Sequence, residues 1–258
     1  MKSFSSGVLI LIGLSLMGCQ GEASWSAGEK EASAAAKASG LTGFKDVSTN
    51  TAYQVYDGIS FISEELQDKM FDLAGVDFST SGTYTLSDAN STIVCDSTVD
   101  GTAIGSGDII TTVTAGDTTQ PTGTSELIVE SSNLTLTYTA CTRADDRGRP
   151  HVIWGSETFA GTRTYQTSWD ETSTTKTNTF LDGNTGGYAF TASGVNYKMG
   201  VKVANDYTHT VVTDKATGDV SSETASGTIT IEANTIKCVA TLTEALHLLA
   251  PPFKCSEK

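Results

Sequence analysis

The sequence predicts a mainly β protein: an antiparallel, threonine-rich meander that forms a sandwich, a barrel or a curved half-barrel, preceded by one amphipathic helix. Of 41 threonines, 33 lie between Thr102 and Thr243. In that region apolar and polar residues alternate, as from Leu134 to Ala140, which is typical of strands with one face in water. Turn-forming residues separate these runs and no helical period lies between them, so antiparallel hairpins are favoured over parallel strands.

The chain begins with an apolar segment that follows Lys2. The run Val8–Met17 is much shorter than the roughly 20 residues that a transmembrane helix needs. A positive start and a short apolar run are typical of a cleaved signal peptide. The sequence therefore predicts export, with residues 1–18 removed as the signal.

The apolar run ends in Leu16-Met17-Gly18-Cys19, which resembles the lipobox of bacterial lipoprotein precursors. The resemblance is confined to this segment. It implies cleavage before Cys19, acylation of Cys19 with fatty acids such as palmitate, and anchorage to a membrane of the cell envelope. Because Gln20 and not Asp follows the cysteine, it also implies the outer membrane. The alternative is an ordinary secretory signal that is cut nearby.

Three segments follow the signal. Residues 19–48 are rich in Ala, Ser, Gly and Glu, which predicts a flexible tether. Residues 49–75 are predicted to be the amphipathic helix, because six apolar residues recur there at steps of three and four. These are Val55, Ile59, Ile62, Leu66, Met70 and Leu73. Residues 76–258 are predicted to form one β domain with a disulfide-pinned tail.

Turns are predicted at several clusters of Gly, Asn and Asp, including Asp182–Gly187 and Asn205-Asp206. The first of these also resembles the start of an EF-hand calcium loop. Gly186 and Ser193 stand where that loop needs ligands, so a hairpin turn is the preferred interpretation.

Four cysteines remain beyond Cys19, and in an oxidising compartment an even number predicts two disulfides. We expect Cys95 to pair with Cys141 and Cys238 with Cys255. The first pair lies near strand ends, and the second joins an apolar strand position to a tail that has little else to hold it. Closing these shorter loops costs less chain entropy than linking the two halves of the domain. The alternative is four buried reduced thiols.

Acidic residues dominate the chain, since removal of Lys2 with the signal leaves 15 basic residues against 30 acidic ones. This balance argues against nucleic acid as a partner and against electrostatic docking on anionic lipid. Three of the four arginines, Arg143, Arg147 and Arg149, lie close together in the sequence. They are candidates for an anion-binding loop, although local pairing with neighbouring aspartates is the favoured interpretation.

No catalytic or phosphate-binding motif is present, and the histidines His151, His209 and His247 are widely separated. We therefore expect no metal and no cofactor, and we interpret His209 as a satisfied strand residue. The favoured function is a non-enzymatic binding or interaction module whose partner is an envelope protein or a polymer. The alternative is a carrier of a lipid or another hydrophobic ligand, and an enzyme without a visible motif ranks last. A carrier requires an apolar cavity that core packing leaves unfilled.

Overall fold

The computed structural model describes most of the chain. The described residues are 28–45, 69–86, 92–96, 99–144, 150–192, 194–249 and 251–257. Cys19 and most of the predicted helix at 49–75 lie outside them. Among these residues, none of the helices combines the length and apolarity needed to cross a bilayer.

The described chain contains two short helices and ten strands. The helices are α1 (Glu29–Ser39) and α2 (Leu246–Leu249), and residues 69–74 form a further helical segment. The strands are β1 (Gly82–Leu86), β2 (Thr92–Asp96), β3 (Val99–Thr114), β4 (Gly123–Ala144), β5 (Pro150–Trp169), β6 (Ser173–Ala192), β7 (Val195–Asp214), β8 (Val220–Ala233), β9 (Ile236–Leu242) and β10 (Lys254–Glu257).

All the strands belong to one antiparallel sheet. From β3 onward each strand pairs with the next one in sequence, and both β1 and β2 pair with β3. The sheet bends into a barrel-like ring that does not close. The predicted antiparallel meander is therefore confirmed. Of the forms that the sequence left open, the sandwich is excluded, because all the strands belong to one sheet.

Period-two alternation sets which residues face the core. On β4, Leu134, Leu136 and Tyr138 are buried, and they define what we call the inner face of the sheet, while the intervening threonines point the other way. The alternation does not continue through Ala140, because Ala140 has φ +48° and the pairing of β4 with β5 shifts between Tyr138 and Cys141. This bulge brings Cys141 to a fully buried position.

Two of the predicted turns are wrong. Asp182–Gly187 lies inside β6, and Asn205-Asp206 lies inside β7, and every residue of both stretches is paired with the neighbouring strands. Strands of 20 residues run on both sides of β6, so ladder hydrogen bonds satisfy its backbone without interruption. That long-range pairing outweighs the local turn preference of Asp, Asn and Gly.

Within the segment 19–48, which was expected to be a flexible tether, residues 29–39 form helix α1, and residues 19–27 and 46–48 lie outside the described residues. Ala32 and Ala35 are buried, and the helix packs against β5, β6 and β7. A Cβ on Gly187 would lie 2.0 Å from the backbone nitrogen of Ala32, so glycine at this position permits the close contact. Because Gly187 alternates with inward-facing Tyr188, α1 lies on the outer face of the sheet.

The helical segment 69–74 lies on the inner face. Met70 is fully buried in the core, as the predicted helix requires, and a Cβ on Gly105 of β3 would lie 2.6 Å from its sulfur atom. Leu73 belongs to the same predicted apolar face but is 39 % exposed, because Gly75 ends the helix immediately beyond it with φ +67°.

The four remaining cysteines form two disulfides, in the pairs that were expected. Cys95 on β2 joins Cys141 on β4, with the Cα atoms 5.4 Å apart. Cys238 joins Cys255 between directly opposed positions of β9 and β10. Residues of the tail thus form the last strand of the sheet, β10, which begins just beyond Pro251 and Pro252.

Candidate ligand-binding cavity

A cavity of about 380 Å³ opens between the inner face of the sheet and the segment 69–78. This volume is near the lower end of the range of small-molecule sites, which is about 300–1,000 Å³. Its lining comes from β4, β5 and the segment that covers them: Phe71, Asp72, Phe78, Leu127, Val129, Arg163 and Tyr165.

The floor of the cavity follows from the register of β4 and β5. Leu127 pairs with Tyr165, and Val129 pairs with Arg163. Paired residues of antiparallel strands point to the same face, and residues two apart along a strand do so too. Two aliphatic side chains and two large polar-tipped side chains are therefore presented side by side on the inner face.

Two phenylalanines form the covering wall. The Phe71 and Phe78 rings lie 5.9 Å apart in an edge-to-face arrangement, which is a favoured geometry for aromatic pairs. The Tyr84 hydroxyl donates to the Asp77 carbonyl at 3.1 Å, and the Val76 amide donates to the Phe71 carbonyl at 3.0 Å. These bonds tie the wall to β1 and to its own helical turn, while Phe78 remains 45 % exposed at the mouth.

Arg163 is held in place by neighbouring polar side chains. Its Nε donates to the Asp182 carboxylate on β6, and the second oxygen of that carboxylate accepts a 2.9 Å bond from Asn205 on β7. Burial alone would lower the pKa of the Arg163 guanidinium, but the Asp182 carboxylate and the Tyr165 hydroxyl oppose it, and the net direction is upward. Arg163 is therefore a permanent cation with a fixed orientation.

An aromatic row continues from the cavity across the sheet. Arg163 lies 5.7 Å from the centre of the Phe180 ring, within the range of a cation–π contact. Phe180 stacks on Tyr207 of β7 with 4.6 Å between the ring centres. The same Phe180 ring meets Tyr165 edge to face at 6.2 Å.

A second, smaller cavity of about 10 Å³ lies behind Arg163. It shares Phe71, Val129 and Arg163 with the larger one and is also lined by Asp182 and Gly161. Its volume is at the limit that a single water molecule needs.

Glu157 forms a separate buried polar cluster on the inner face. Its carboxylate accepts hydrogen bonds from the Tyr138 hydroxyl, from the Tyr188 hydroxyl at 2.9 Å and from the Asn184 amide at 2.6 Å. Both tyrosines and Glu157 are buried. Several donors on one carboxylate offset the cost of burying it.

No protein family matches this chain, and neither a curated protein nor a solved structure is significantly similar to it.

Of the site residues predicted from the sequence, the four disulfide cysteines are the ones that the structure describes. Arg143 is described only as part of the backbone of β4, and Arg147 and Arg149 lie outside the described residues. The predicted anion-binding loop therefore stays a prediction. His209 bonds Glu223 at 2.9 Å across β7 and β8, as expected of a satisfied strand residue. Within the described ranges, no three His, Cys, Asp or Glu side chains converge on a point where a metal ion could bind.

Sequence reasoning missed Glu157, Arg163, Asp182 and Asn205 as a set. One signal was present in the sequence. Each of these polar residues lies two positions from an apolar or aromatic residue on its own strand, so both side chains point to the same face of the sheet. Glu157 lies two residues from Phe159, and Arg163 lies two residues from Tyr165. A charged residue whose side chain points to the inner face needs a polar partner there, because burying an unpaired charge is costly. Which strands bring these residues together depends on the register, which the sequence does not specify.

Proposed function

We propose that this chain is a lipid-anchored protein of the bacterial cell envelope that binds a small hydrophobic ligand without transforming it. The observation that supports this is the cavity of about 380 Å³ between the sheet and the segment 69–78. An interaction module that works through its outer surface has no need of such a cavity. A carrier does need one, because apolar ligands bind by leaving water for an enclosed apolar site.

The lining favours hydrophobic ligands. Phe71, Phe78, Leu127 and Val129 supply apolar surface, and Tyr165 adds an aromatic face. The volume suits a compound with one or two rings or a short acyl chain, and it is too small for a whole two-chain lipid. We therefore favour a small ligand over a membrane phospholipid.

The binding proposal can be tested with N-phenyl-1-naphthylamine, an uncharged apolar dye that fluoresces when it leaves water. We expect saturable binding to the purified chain. Leu127→Trp fills the cavity from β4 and should weaken binding at least about tenfold, because the ring competes for the same space. Val220→Trp is the matched control, since Val220 is 58 % exposed and is not among the residues that line the cavity.

Equal dye binding by the wild type and Leu127→Trp would refute the cavity as the site. Mass spectrometry of the chain purified under mild conditions supplies an independent check. A small molecule that co-purifies with the wild type and is lost from Leu127→Trp would identify the ligand class directly.

The anchor is the second part of the proposal and rests on the lipobox-like segment that ends at Cys19. Metabolic labelling with a fatty-acid analogue should mark the wild type and leave Cys19→Ser unmarked. The Cys95→Ser variant serves as the control, because Cys95 is a cysteine in a disulfide. Equal labelling of the wild type and Cys19→Ser would exclude lipidation at this residue.

A further inference from the structure

We infer that Phe71 determines how long a linear apolar ligand the cavity can bury, because its ring separates the cavity from a notch further along the sheet. This inference rests on the proposed binding function and names the residue that limits the length of the ligand. The observations that carry it are the two cavities, the residues that line both of them and the register of β4, β5 and β6.

The large and the small cavity are neighbours on the inner face. The small one, of about 10 Å³, shares three lining residues with the large one: Phe71, Val129 and Arg163. Residues that line both cavities lie between them. These three residues therefore form the partition that keeps the two spaces apart.

The small cavity lies where β5 has a glycine at an inward position. Gly161 pairs with Ser131 of β4 and with Asp182 of β6, and Arg163 lies two residues further along β5 on the same face. Gly161 supplies no side chain, so a notch remains over it. Successive inward positions of a strand are about 6.7 Å apart. The notch is thus one such step beyond the floor of the large cavity.

Phe71 is the part of the partition that does not belong to the sheet. Val129 and Arg163 lie on the paired strands β4 and β5, whereas Phe71 belongs to the helical segment 69–74. Its ring therefore closes the inner end of the large cavity from the covering side. The opposite end is the mouth, where Phe78 is 45 % exposed.

This arrangement limits how much of a linear ligand can leave water. Each methylene that is fully buried increases the affinity by up to about fourfold. Once the chain reaches the Phe71 ring, further methylenes stay at the mouth in contact with water and add little. The affinity should therefore rise with chain length and then level off. The open mouth does not alter this expectation, because only buried methylenes contribute.

Straight-chain primary alcohols from butanol to dodecanol, which are uncharged and differ only in length, test this inference. Their displacement of N-phenyl-1-naphthylamine from the purified chain measures the affinities, with Leu127→Trp as the background for non-specific partitioning. In the wild type we expect the affinity to level off within this series. In Phe71→Ala no ring divides the two cavities, so the affinity should level off at chains at least about two methylenes longer.

Phe78→Ala is the matched control for Phe71→Ala. It removes the same ring from the other member of the aromatic pair, but Phe78 lines the large cavity and not the small one. It should weaken all the alcohols by a similar factor and leave the chain length at which the affinity levels off unchanged. Phe71→Leu keeps an apolar side chain in the helical segment and should give a smaller shift in the same direction, which keeps the test decisive should Phe71→Ala fail to fold.

Different results overturn different statements. If neither the dye nor any alcohol binds above the Leu127→Trp background, the proposed binding function fails. If the dye binds but no alcohol displaces it, or if the wild-type affinity rises throughout the series, the binding function stands and the inferred length limit is wrong. The role of Phe71 is also wrong if its variants level off where the wild type does, or if Phe78→Ala produces the same shift.

Discussion

At the scale of single residues, Glu157 illustrates how a buried carboxylate is made compatible with an apolar inner face. Tyr138, Tyr188 and Asn184 each donate to it. We expect Glu157→Leu to lower the free energy of unfolding by at least about 3 kcal/mol, because three buried donors each lose their acceptor at about 1–3 kcal/mol. Urea unfolding monitored by circular dichroism measures this change.

The control for Glu157 removes the donors as well. Combining Glu157→Leu with Tyr138→Phe and Tyr188→Phe replaces most of the polar cluster by apolar groups of similar shape, which is often close to neutral. The triple variant should recover more than about half of the lost stability. A triple variant less stable than Glu157→Leu alone would show that packing, and not hydrogen bonding, dominates at this cluster.

The residue scale also shows what the sequence could and could not predict. The burial of Leu134, Leu136 and Tyr138 follows from alternation, since each position depends only on its neighbours in the chain. The contact of Arg163 with Asp182 depends on how β5 and β6 are aligned. A shift of one residue in that pairing would turn Asp182 to the other face, so no local pattern identifies the contact.

At the scale of elements, α1 is held to the sheet through one narrow face. Ala35 is buried against the outer face, whereas Ala34 is exposed. We expect Ala35→Glu to undock α1, because the carboxylate would have to lose its hydration against the sheet. Tryptic cleavage after Lys37 should then accelerate at least about tenfold, while the strand signal in circular dichroism stays the same.

Ala34→Glu is the matched control for this prediction. It places the same side chain on the same helix but on its exposed side, so cleavage after Lys37 should match the wild type. Equal acceleration by both variants would mean that helix propensity, and not docking, protects this segment. The sequence predicted a flexible tether at α1, because isolated helices of this length are marginal without tertiary contacts and the docking surface is formed by distant strands.

The hairpin between β5 and β6 provides the pH-dependent prediction. The Asp170 carboxylate accepts bonds from the backbone amides of Thr172 and Ser173, both at 2.7 Å, and from their hydroxyls. These bonds, those from the amides first, lower the pKa of Asp170 well below its ordinary value of 3.8. The folded state therefore holds this carboxylate ionised at pH values where the unfolded chain is protonated.

A lowered folded-state pKa contributes stability that is fully present above pH 3.8 and is lost as the pH falls towards the folded value. We expect Asp170→Ala to lower Tm at pH 7 and to differ less from the wild type at pH 3. Thermal unfolding at both pH values measures this. The control, Glu171→Ala, removes the same charge from the same turn and should lack this pattern.

At the scale of the whole molecule, most of the architecture could be predicted and the cavity could not. Alternation predicts an antiparallel meander because it depends on the residues of one strand at a time, and the even number of cysteines predicts two disulfides. The cavity depends on the bend of the entire sheet and on where the segment 69–78 crosses it. The long uninterrupted β6 was missed for the same reason, since partners on both sides override its turn-forming residues.

The unclosed ring leaves β10 as the last strand at one side of the sheet. This strand has only four residues, all exposed, and its Cys255 is bonded to Cys238 directly opposite. Without that bond, β10 would be held by few contacts and β9 would be uncovered along its hydrogen-bonding groups. An uncovered strand edge is a template on which further copies of a chain can assemble.

The disulfide at the tail thus has a consequence for where this protein can safely be made. In a reducing environment the β9 edge would be open to self-association, whereas formation of the Cys238–Cys255 disulfide in an oxidising one keeps β10 in place over it. We expect a Cys238→Ser/Cys255→Ser chain to form soluble oligomers in size-exclusion chromatography. A Cys95→Ser/Cys141→Ser chain loses a disulfide worth about 4 kcal/mol but keeps β9 covered, and should elute as the wild type does at temperatures where it stays folded.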